Sequence, residues 1–156
     1  MKKYVFYDTD LTGQAQYDIS GNEYLELIKT CCKYSTTFSL KITNTSHSIF
    51  KELARYKIPV TQSVLNAYQH YSDKSDIHHY RLYNEIQETL LNTCGSIFQW
   101  INGWGYTNPD DPAFYRDDGS VFFESTIHEG ICILYPLENE DISTIIENKL
   151  WIEYQE

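Results

Sequence analysis

The chain has 156 residues, of which 42% are apolar and 15% aromatic, and its 12 Lys and Arg against 22 Asp and Glu give a formal net charge of −10. This length suits one domain that buries a core without disulfide or metal staples, and 24 Phe, Trp and Tyr residues argue against disorder. No stretch approaches the roughly 20 uncharged apolar residues of a membrane span. Because Asp8 and Asp10 interrupt the apolar start before a signal-peptide core forms, we expect a cytoplasmic protein.

The negative charge is concentrated in the second half of the chain. Residues 1–81 contain 10 Lys and Arg against 8 Asp and Glu, whereas residues 82–156 contain 2 against 14, which gives +2 and −12. Such a field repels nucleic acid and membrane surfaces and attracts a basic protein. Ordinary solubility is the alternative explanation of an acidic surface. The sequence therefore predicts a basic protein partner, with no nucleic acid and no membrane.

The first elements alternate between strand and helix. Residues 3–8 are rich in Tyr, Val and Phe, which is typical of a strand. Ser20 and Glu23 match a capping box, and the apolar spacing after it predicts a helix to about Lys33. Residues 36–43 alternate polar and apolar side chains, as a strand with one wet face does. This order suggests a β-α-β start, with the direction of pairing left open.

The middle of the chain is predicted to be helical. A short apolar stripe over residues 49–54 ends near Pro59, because the residue before proline avoids the helical region. Thr61 is a candidate cap for another short helix. Residues 77–94 then carry apolar side chains at helical spacing over about five turns, closed by Gly95.

The last third changes to strands and tight turns. Asn102-Gly103 is a two-residue hairpin signal, residues 108–112 are a loop stiffened by two prolines, and residues 117–119 are a turn. The clearest hairpin joins strands 121–126 and 131–135 through a turn at 128–130. A short helix at 141–147 and a strand at 150–154 follow. We therefore predict a single α+β domain over residues 1–156, with a mostly antiparallel sheet and helices packed on one side.

Polar and aromatic residues that could carry chemistry are densest between Trp100 and Glu129. His128 beside Glu129 could act as a base with an orienting partner, as in a hydrolase or a small-ligand-binding protein. Neighbouring residues on a strand point to opposite faces, however, which makes this a poor dyad. The aspartates at 110, 111, 117 and 118 fit turn chemistry and lack the spacing of a calcium loop. We predict no metal site, no cofactor and no catalytic residue.

The same region suits recognition of a protein surface. Tryptophan and tyrosine are large amphipathic anchors, and carboxylates around them steer a basic partner. We expect Trp100 in the core and leave open whether Trp104 and Tyr106 face solvent. The predicted interaction residues are Trp104, Tyr106, Asp110, Asp111, Tyr115, Asp117, Asp118, His128 and Glu129.

Three segments carry a resemblance to a known class. Gly-Trp-Gly-Tyr (103–106), Phe-Tyr-Arg-Asp-Asp-Gly-Ser-Val-Phe-Phe (114–123) and His-Glu-Gly (128–130) resemble segments of uncharacterised immunity-type proteins that accompany bacterial polymorphic toxins. The resemblance covers mainly residues 95–135, about a quarter of the chain. It implies neutralisation of a cognate toxin, often a basic nuclease, by stoichiometric binding without chemistry, and it transfers no inhibitory residue by position. A structural or regulatory homodimer joined through the aromatic strands is the remaining alternative.

Overall fold

The computed structural model describes residues 1–9, 18–59 and 75–155. The described residues form four α-helices, namely α1 (Gly21–Tyr34), α2 (Ser48–Leu53), α3 (Asn84–Thr93) and α4 (Ser143–Ile146). Three 3₁₀ turns cover Ala54–Tyr56, Ile97–Gln99 and Ile127–Glu129. None of the described helices is long and apolar enough to cross a membrane.

The strands of the described residues form one large sheet and one small one. In chain order the strands are β1 (Lys2–Tyr7), β2 (Thr37–Lys41), β3 (Lys57–Ile58), β4 (Ile77–Arg81), β5 (Asn102–Gly103), β6 (Tyr106–Thr107), β7 (Asp110–Tyr115), β8 (Val121–Thr126), β9 (Ile131–Leu134) and β10 (Ile152–Gln155). Eight of them lie in the order β10-β1-β9-β8-β7-β2-β4-β3, and β5 pairs with β6. Every described pairing is antiparallel, which confirms the α+β prediction with a mostly antiparallel sheet.

One face of the large sheet carries the core. Side chains alternate between the faces of a strand, so Phe38 and Leu40 of β2 lie on the same face as Phe114 of β7. All four described helices add residues to this cluster, among them Leu27, Ile28, Ile49, Leu53, Ile86, Leu90 and Ile145. Burial of each such side chain stabilises the fold by about 1.5–3 kcal/mol.

The opposite face has a smaller buried group. Ile77, Ala113 and Tyr115 form a second apolar cluster. The hydroxyls of Ser39 and Tyr115 lie 2.8 Å apart within hydrogen-bonding distance. His79 is fully buried beside Tyr115, with 5.6 Å between ring centroids, and neither of its ring nitrogens has a hydrogen-bond partner. Burial therefore lowers the pKa of His79 to about 4, and the neighbouring His78 adds to this.

A buried ion pair fixes the start of the β7–β8 turn. The Arg116 guanidinium donates from Nε and Nη2 to the two carboxylate oxygens of Glu140, at 2.7 and 2.6 Å. It also donates to the backbone carbonyls of Val121 and Tyr135. The two charged side chains are only 10% and 7% exposed, so Arg116 ties β7, β8 and the chain after β9 together.

Several local predictions are confirmed. The first helix, the strand after it, the helix before Pro59 and the β8–β9 hairpin all lie where the pattern placed them. The short helix near residue 145 and the last strand are also present. The helix predicted after Thr61 lies outside the described residues.

Four local predictions are wrong. Ser20 precedes α1 with the extended backbone of an N-cap residue but makes no capping hydrogen bond, and its backbone bridges Ser96. Residues 77–94 form strand β4 and the shorter helix α3, not one long helix. Asn102-Gly103 forms strand β5 and not a turn, and the expected loop at 108–112 contains the start of β7. The chain does begin in the predicted order β1, α1, β2, but β1 and β2 do not pair, since three strands lie between them.

Candidate interaction site

An aromatic hairpin projects from one end of the large sheet. Strands β5 and β6 pair through Asn102 with Thr107 and Gly103 with Tyr106, so Trp104 and Gly105 form the tip. We call residues 102–107 the Trp104 hairpin. Trp104 is 69% exposed and Tyr106 is 43% exposed. The hairpin therefore holds two large aromatic side chains in solvent.

The backbone explains why this hairpin is tight. Trp104 has φ +53° and Gly105 has φ +88°, so both tip residues occupy the left-handed region that two-residue hairpin turns require. Glycine adopts this conformation without steric cost, whereas a bulky residue such as tryptophan does so only against a penalty. The surrounding contacts must hold Trp104 in place.

His128 supports the exposed indole from the side. The rings of Trp104 and His128 lie 5.9 Å apart between centroids, in an edge-to-face arrangement with the planes inclined by 63°. On its other side, His128 Nε2 lies 3.4 Å from Oδ1 of Asp110. The His128 side chain is half exposed, whereas that of Asp110 is only 4% exposed. The three side chains thus form a short stack. Trp104 lies in solvent, His128 lies at the surface and Asp110 lies in the interior.

Two consecutive aspartates anchor this stack to the fold. Asp110 Oδ1 accepts a 2.7 Å hydrogen bond from the backbone N–H of Asn102, at the base of the hairpin. Asp111 Oδ1 accepts a 2.7 Å hydrogen bond from the N–H of Ile127, where the turn that carries His128 begins. The φ of Asp111 is +53°, and the β2–β7 register shifts at this point. This bulge lets both aspartates brace neighbouring segments.

The buried position of Asp110 changes its acidity. Burial raises the pKa of the Asp110 carboxyl, and the nearby Asp111 adds to this. The N–H of Asn102, His128 and Lys41 oppose the rise. The hydrogen bond from the N–H of Asn102 offsets part of the cost of burying the ionised carboxylate, but the net effect of the surroundings is to raise its pKa.

Asn108 ties the far end of the hairpin to helix α2. His47 Nδ1 accepts the N–H of Ile49, so its Nε2 carries the proton and donates to Oδ1 of Asn108 at 3.1 Å. The Asn108 amide in turn donates to the carbonyl of Gln99 at 2.8 Å. The hairpin is held at both of its ends.

An acidic groove lies on the other side of His47. It has a volume of about 570 Å³ and runs between α2 and α3. Its carboxylates are Glu52, Glu85 and Glu88, and the described residues that line it include no Lys or Arg. The backbone N–H of Glu85 and the Tyr56 hydroxyl lower the pKa of the Glu85 carboxyl, so it stays ionised. Through His47 and Asn108 the groove adjoins the Trp104 hairpin.

The structure brings some of the predicted interaction residues together and separates others. Trp104, Tyr106, His128 and Glu129 are exposed at one end of the sheet. Asp110 and Asp111 reach the same end, but they are buried beneath it. Tyr115 is fully buried on the second face of the sheet, with its hydroxyl next to Ser39. In this conformation a partner can touch the exposed residues but not Tyr115.

Asp117 and Asp118 lie apart from the hairpin. Both are exposed in the turn after β7, whereas Asp110 begins that strand. A strand of six residues separates the two ends by about 17–20 Å. Asp118 also accepts hydrogen bonds from the N–H and hydroxyl of Ser120, which lower its pKa. The four predicted aspartates therefore do not form one surface.

Sequence reasoning missed the residues that organise this site. His128 faces Asp110, which is 18 positions away, and not its neighbour Glu129. The groove glutamates, His47 and Asn108 are not among the residues that the sequence predicts for the site. One signal was available, because Glu85 and Glu88 are three residues apart on a predicted helical stretch and so share a face. The contact between His47 and Asn108 has no such local signal.

Neither a metal-binding cluster nor a similar protein helps to identify this site. Across residues 1–9, 18–59 and 75–155, no group of three or more His, Cys, Asp or Glu side chains is placed to hold a metal ion. No family model matches the chain, and no curated protein or solved structure matches it significantly.

Proposed function

We propose that this chain is an acidic protein-binding module of the cytoplasm whose Trp104 hairpin anchors a basic protein partner. Its most concrete form is an immunity-type protein that neutralises a basic toxin by stoichiometric binding. The observation that carries the proposal is the exposure of Trp104. That side chain is 69% exposed, whereas Trp100 and Trp151 are 0% and 7% exposed.

Energetics support the role of Trp104 as an anchor. Leaving a large aromatic side chain in water forgoes the stabilisation that its burial would contribute. The chain also places this residue in a left-handed conformation and braces it with His128. A rigid tryptophan loses little conformational entropy on binding, which is why tryptophan is enriched among residues that dominate binding energy.

Charge supports a basic partner. The acidic groove next to the hairpin carries three glutamates, and Arg116, one of two cations in residues 82–156, is already paired with Glu140. A negative surface around an aromatic anchor accelerates encounter with a basic protein and disfavours acidic ones. Binding through these groups should weaken as salt screens them.

The test is affinity capture from the native host lysate with three immobilised proteins. These are the wild type, Trp104→Ala and the matched control Tyr83→Ala, which removes an aromatic side chain that is 51% exposed away from the hairpin. We expect one basic protein on the wild type and on the control, released by high salt, and its loss from Trp104→Ala. Equal recovery on all three would show that the hairpin is not the anchor.

The immunity form has a separate test. The captured protein is expressed alone and together with this chain in a bacterial host. We expect growth arrest when it is expressed alone and rescue by the wild type at a one-to-one ratio, with no rescue by Trp104→Ala. A captured protein that is harmless when expressed alone would exclude the immunity form and leave the binding module.

A further inference from the structure

The two edge strands of the large sheet differ in how well they are protected against pairing with another chain. At one edge, β3 has only two residues, begins with Lys57 and is followed by Pro59. Short length, lysine and proline are the devices that stop an edge strand from pairing with another chain. At the other edge, β10 runs over four residues, Ile152–Gln155, and contains neither lysine nor proline. Within the described part of the chain, β10 pairs on one side only, with β1.

The side chains of β10 leave apolar surface in solvent. Ile152 and Tyr154 are two positions apart, so they lie on the same face of the sheet. They are 42% and 40% exposed. The side chain of Tyr154 is hydrogen-bonded to that of Tyr7 in the neighbouring strand β1.

Glu153, the one charged residue of β10, already has polar partners within its own chain. Glu153 accepts a 3.0 Å hydrogen bond from the Tyr4 hydroxyl and pairs with Lys2 at 3.2 Å. Its other carboxylate oxygen accepts from the side chain of Gln155 at 3.1 Å. A carboxylate engaged in this way gives little protection against pairing at the edge.

We propose that β10 is a self-association surface, which pairs antiparallel with β10 of a second copy of this chain. In a twofold arrangement that continues the sheet, two registers place residues of the same face opposite each other. One register places Glu153 opposite Glu153 of the partner subunit, which sets like charges side by side. The other places Tyr154 opposite Tyr154 of the partner subunit and Glu153 opposite its Gln155. Aromatic and polar cross-strand pairs favour the second register.

The net charge of the protein opposes self-association. Two copies of formal charge −10 repel each other, and salt screens this repulsion. Self-association should therefore strengthen as salt rises, whereas binding of a basic protein at the Trp104 hairpin should weaken. The two surfaces are also separate, because β1 and β9 lie between β10 and β8. This inference is independent of the proposed function, and a dimer of this form would carry two hairpins.

Sedimentation velocity of the full chain tests the proposal from low to high micromolar concentration, at low and high salt. The wild type is expected to shift from monomer to dimer with concentration, more readily at high salt. Tyr154→Lys, which places two like charges at the twofold axis, should remain monomeric. The matched control Leu137→Lys changes a 47% exposed leucine outside β10 and should dimerise like the wild type.

Charge changes at Gln155, an exposed residue whose side chain contacts Glu153 of its own strand, test the register. Gln155→Lys places a cation opposite Glu153 of the partner subunit and should tighten the dimer on the order of tenfold. Gln155→Glu places a carboxylate there and should weaken it by a similar factor. A wild type that stays monomeric at high salt would overturn the proposal, and so would a dimer that none of the three β10 variants alters.

Discussion

The imidazole of His128 packs edge-on against the indole of Trp104, with 5.9 Å between the ring centroids. Trp104, the exposed anchor of the proposed binding surface, therefore packs against His128. The imidazole of His128 in turn lies beside the Asp110 carboxylate. Gly130 ends the turn that carries His128, with φ +66°, and a Cβ at this position would lie 2.1 Å from the Asp8 carboxyl. The turn that positions His128 therefore requires glycine at position 130.

His128→Ala should loosen the indole without unfolding the protein. The side chain of His128 is half exposed, so its removal should change the free energy of unfolding by less than about 1 kcal/mol. Time-resolved fluorescence anisotropy should show faster local motion of the exposed tryptophan. Glu129→Ala, at the neighbouring exposed position, is the control and should leave that motion as it is.

Asp110→Asn should stabilise the protein at neutral pH. Burial, with Asp111, raises the pKa of this carboxyl, so the folded state holds a proton more tightly than the unfolded state. The stability contributed by the protonated form is complete below the unfolded pKa and is lost as pH rises through the folded one. Asparagine keeps an oxygen for the Asn102 N–H without the buried charge.

Chemical denaturation should show a higher free energy of unfolding for Asp110→Asn than for the wild type at pH 7. This difference should decline as pH falls through the pKa of the Asp110 carboxyl. Asp117→Asn, at an exposed position, should show neither effect. A lower stability of Asp110→Asn at pH 7 would mean that the attraction to His128 and Lys41 outweighs the cost of burial.

Glu140→Gln should be among the more damaging single changes. Burial opposes ionisation of Glu140, but the Arg116 guanidinium and the N–H of Leu137 outweigh it and lower the pKa of the carboxyl. Removal of one partner leaves the Arg116 charge uncompensated, which costs about 3 kcal/mol or more. Thermal unfolding should show this loss, whereas the exposed neighbour Glu138→Gln should unfold like the wild type.

His79 should make stability depend on pH below neutrality. Its pKa is lowered to about 4, from 6.5 in an unfolded chain. As pH falls from 6.5 towards 4, the unfolded state gains a proton that the folded state does not, so the free energy of unfolding decreases by roughly 3 kcal/mol. His79→Leu should remove that part of the decrease and also the two unpaired ring nitrogens. An equally steep acid transition in His79→Leu would show that other groups cause it.

Helix α1 was predicted well because it has one wet face, whereas β2 lies where predicted although its expected wet face is buried at Ser39. Helix α1 shows its apolar stripe because Tyr24, Leu27 and Cys31 face the core while Lys29 and Lys33 face water. The β8–β9 hairpin is bounded by turn residues on both sides. In helix α1 the periodicity of the sequence reflects burial directly, whereas the hairpin is predicted by its apolar strands and the turn residues that bound them.

Strands β4 and β7, which were predicted wrongly, are buried on both faces. All six residues of β7 are buried, so the strand shows no alternation, and its Asp-Asp-Pro start is typical of a loop. In β4, Ile77, His79 and Tyr80 are all buried, and the spacing of Ile77 and Tyr80 coincides with helical spacing. Burial on two faces removes the period-two signal on which strand prediction depends.

The candidate site was predictable only in part. Composition indicated Trp104, Tyr106 and His128 as candidates for interaction, and Trp100 is in the core as expected, but no local pattern decides whether Trp104 and Tyr106 face solvent. Trp100 packs in the core and donates to the Tyr24 hydroxyl, whereas Trp104 lies at the tip of the hairpin between β5 and β6. The acidic groove likewise exists only because α2 and α3 lie next to each other in the fold.

The most direct test of the central claim uses the three tryptophans as reporters. Only Trp104 is exposed, so acrylamide should quench one accessible component of the intrinsic fluorescence of the free protein. A tryptophan-free peptide or domain of the captured basic partner is then added to saturation. We predict that the accessible component disappears, because the indole is buried in the complex. A complex in which Trp104 remains as accessible to acrylamide as in the free protein would contradict the account.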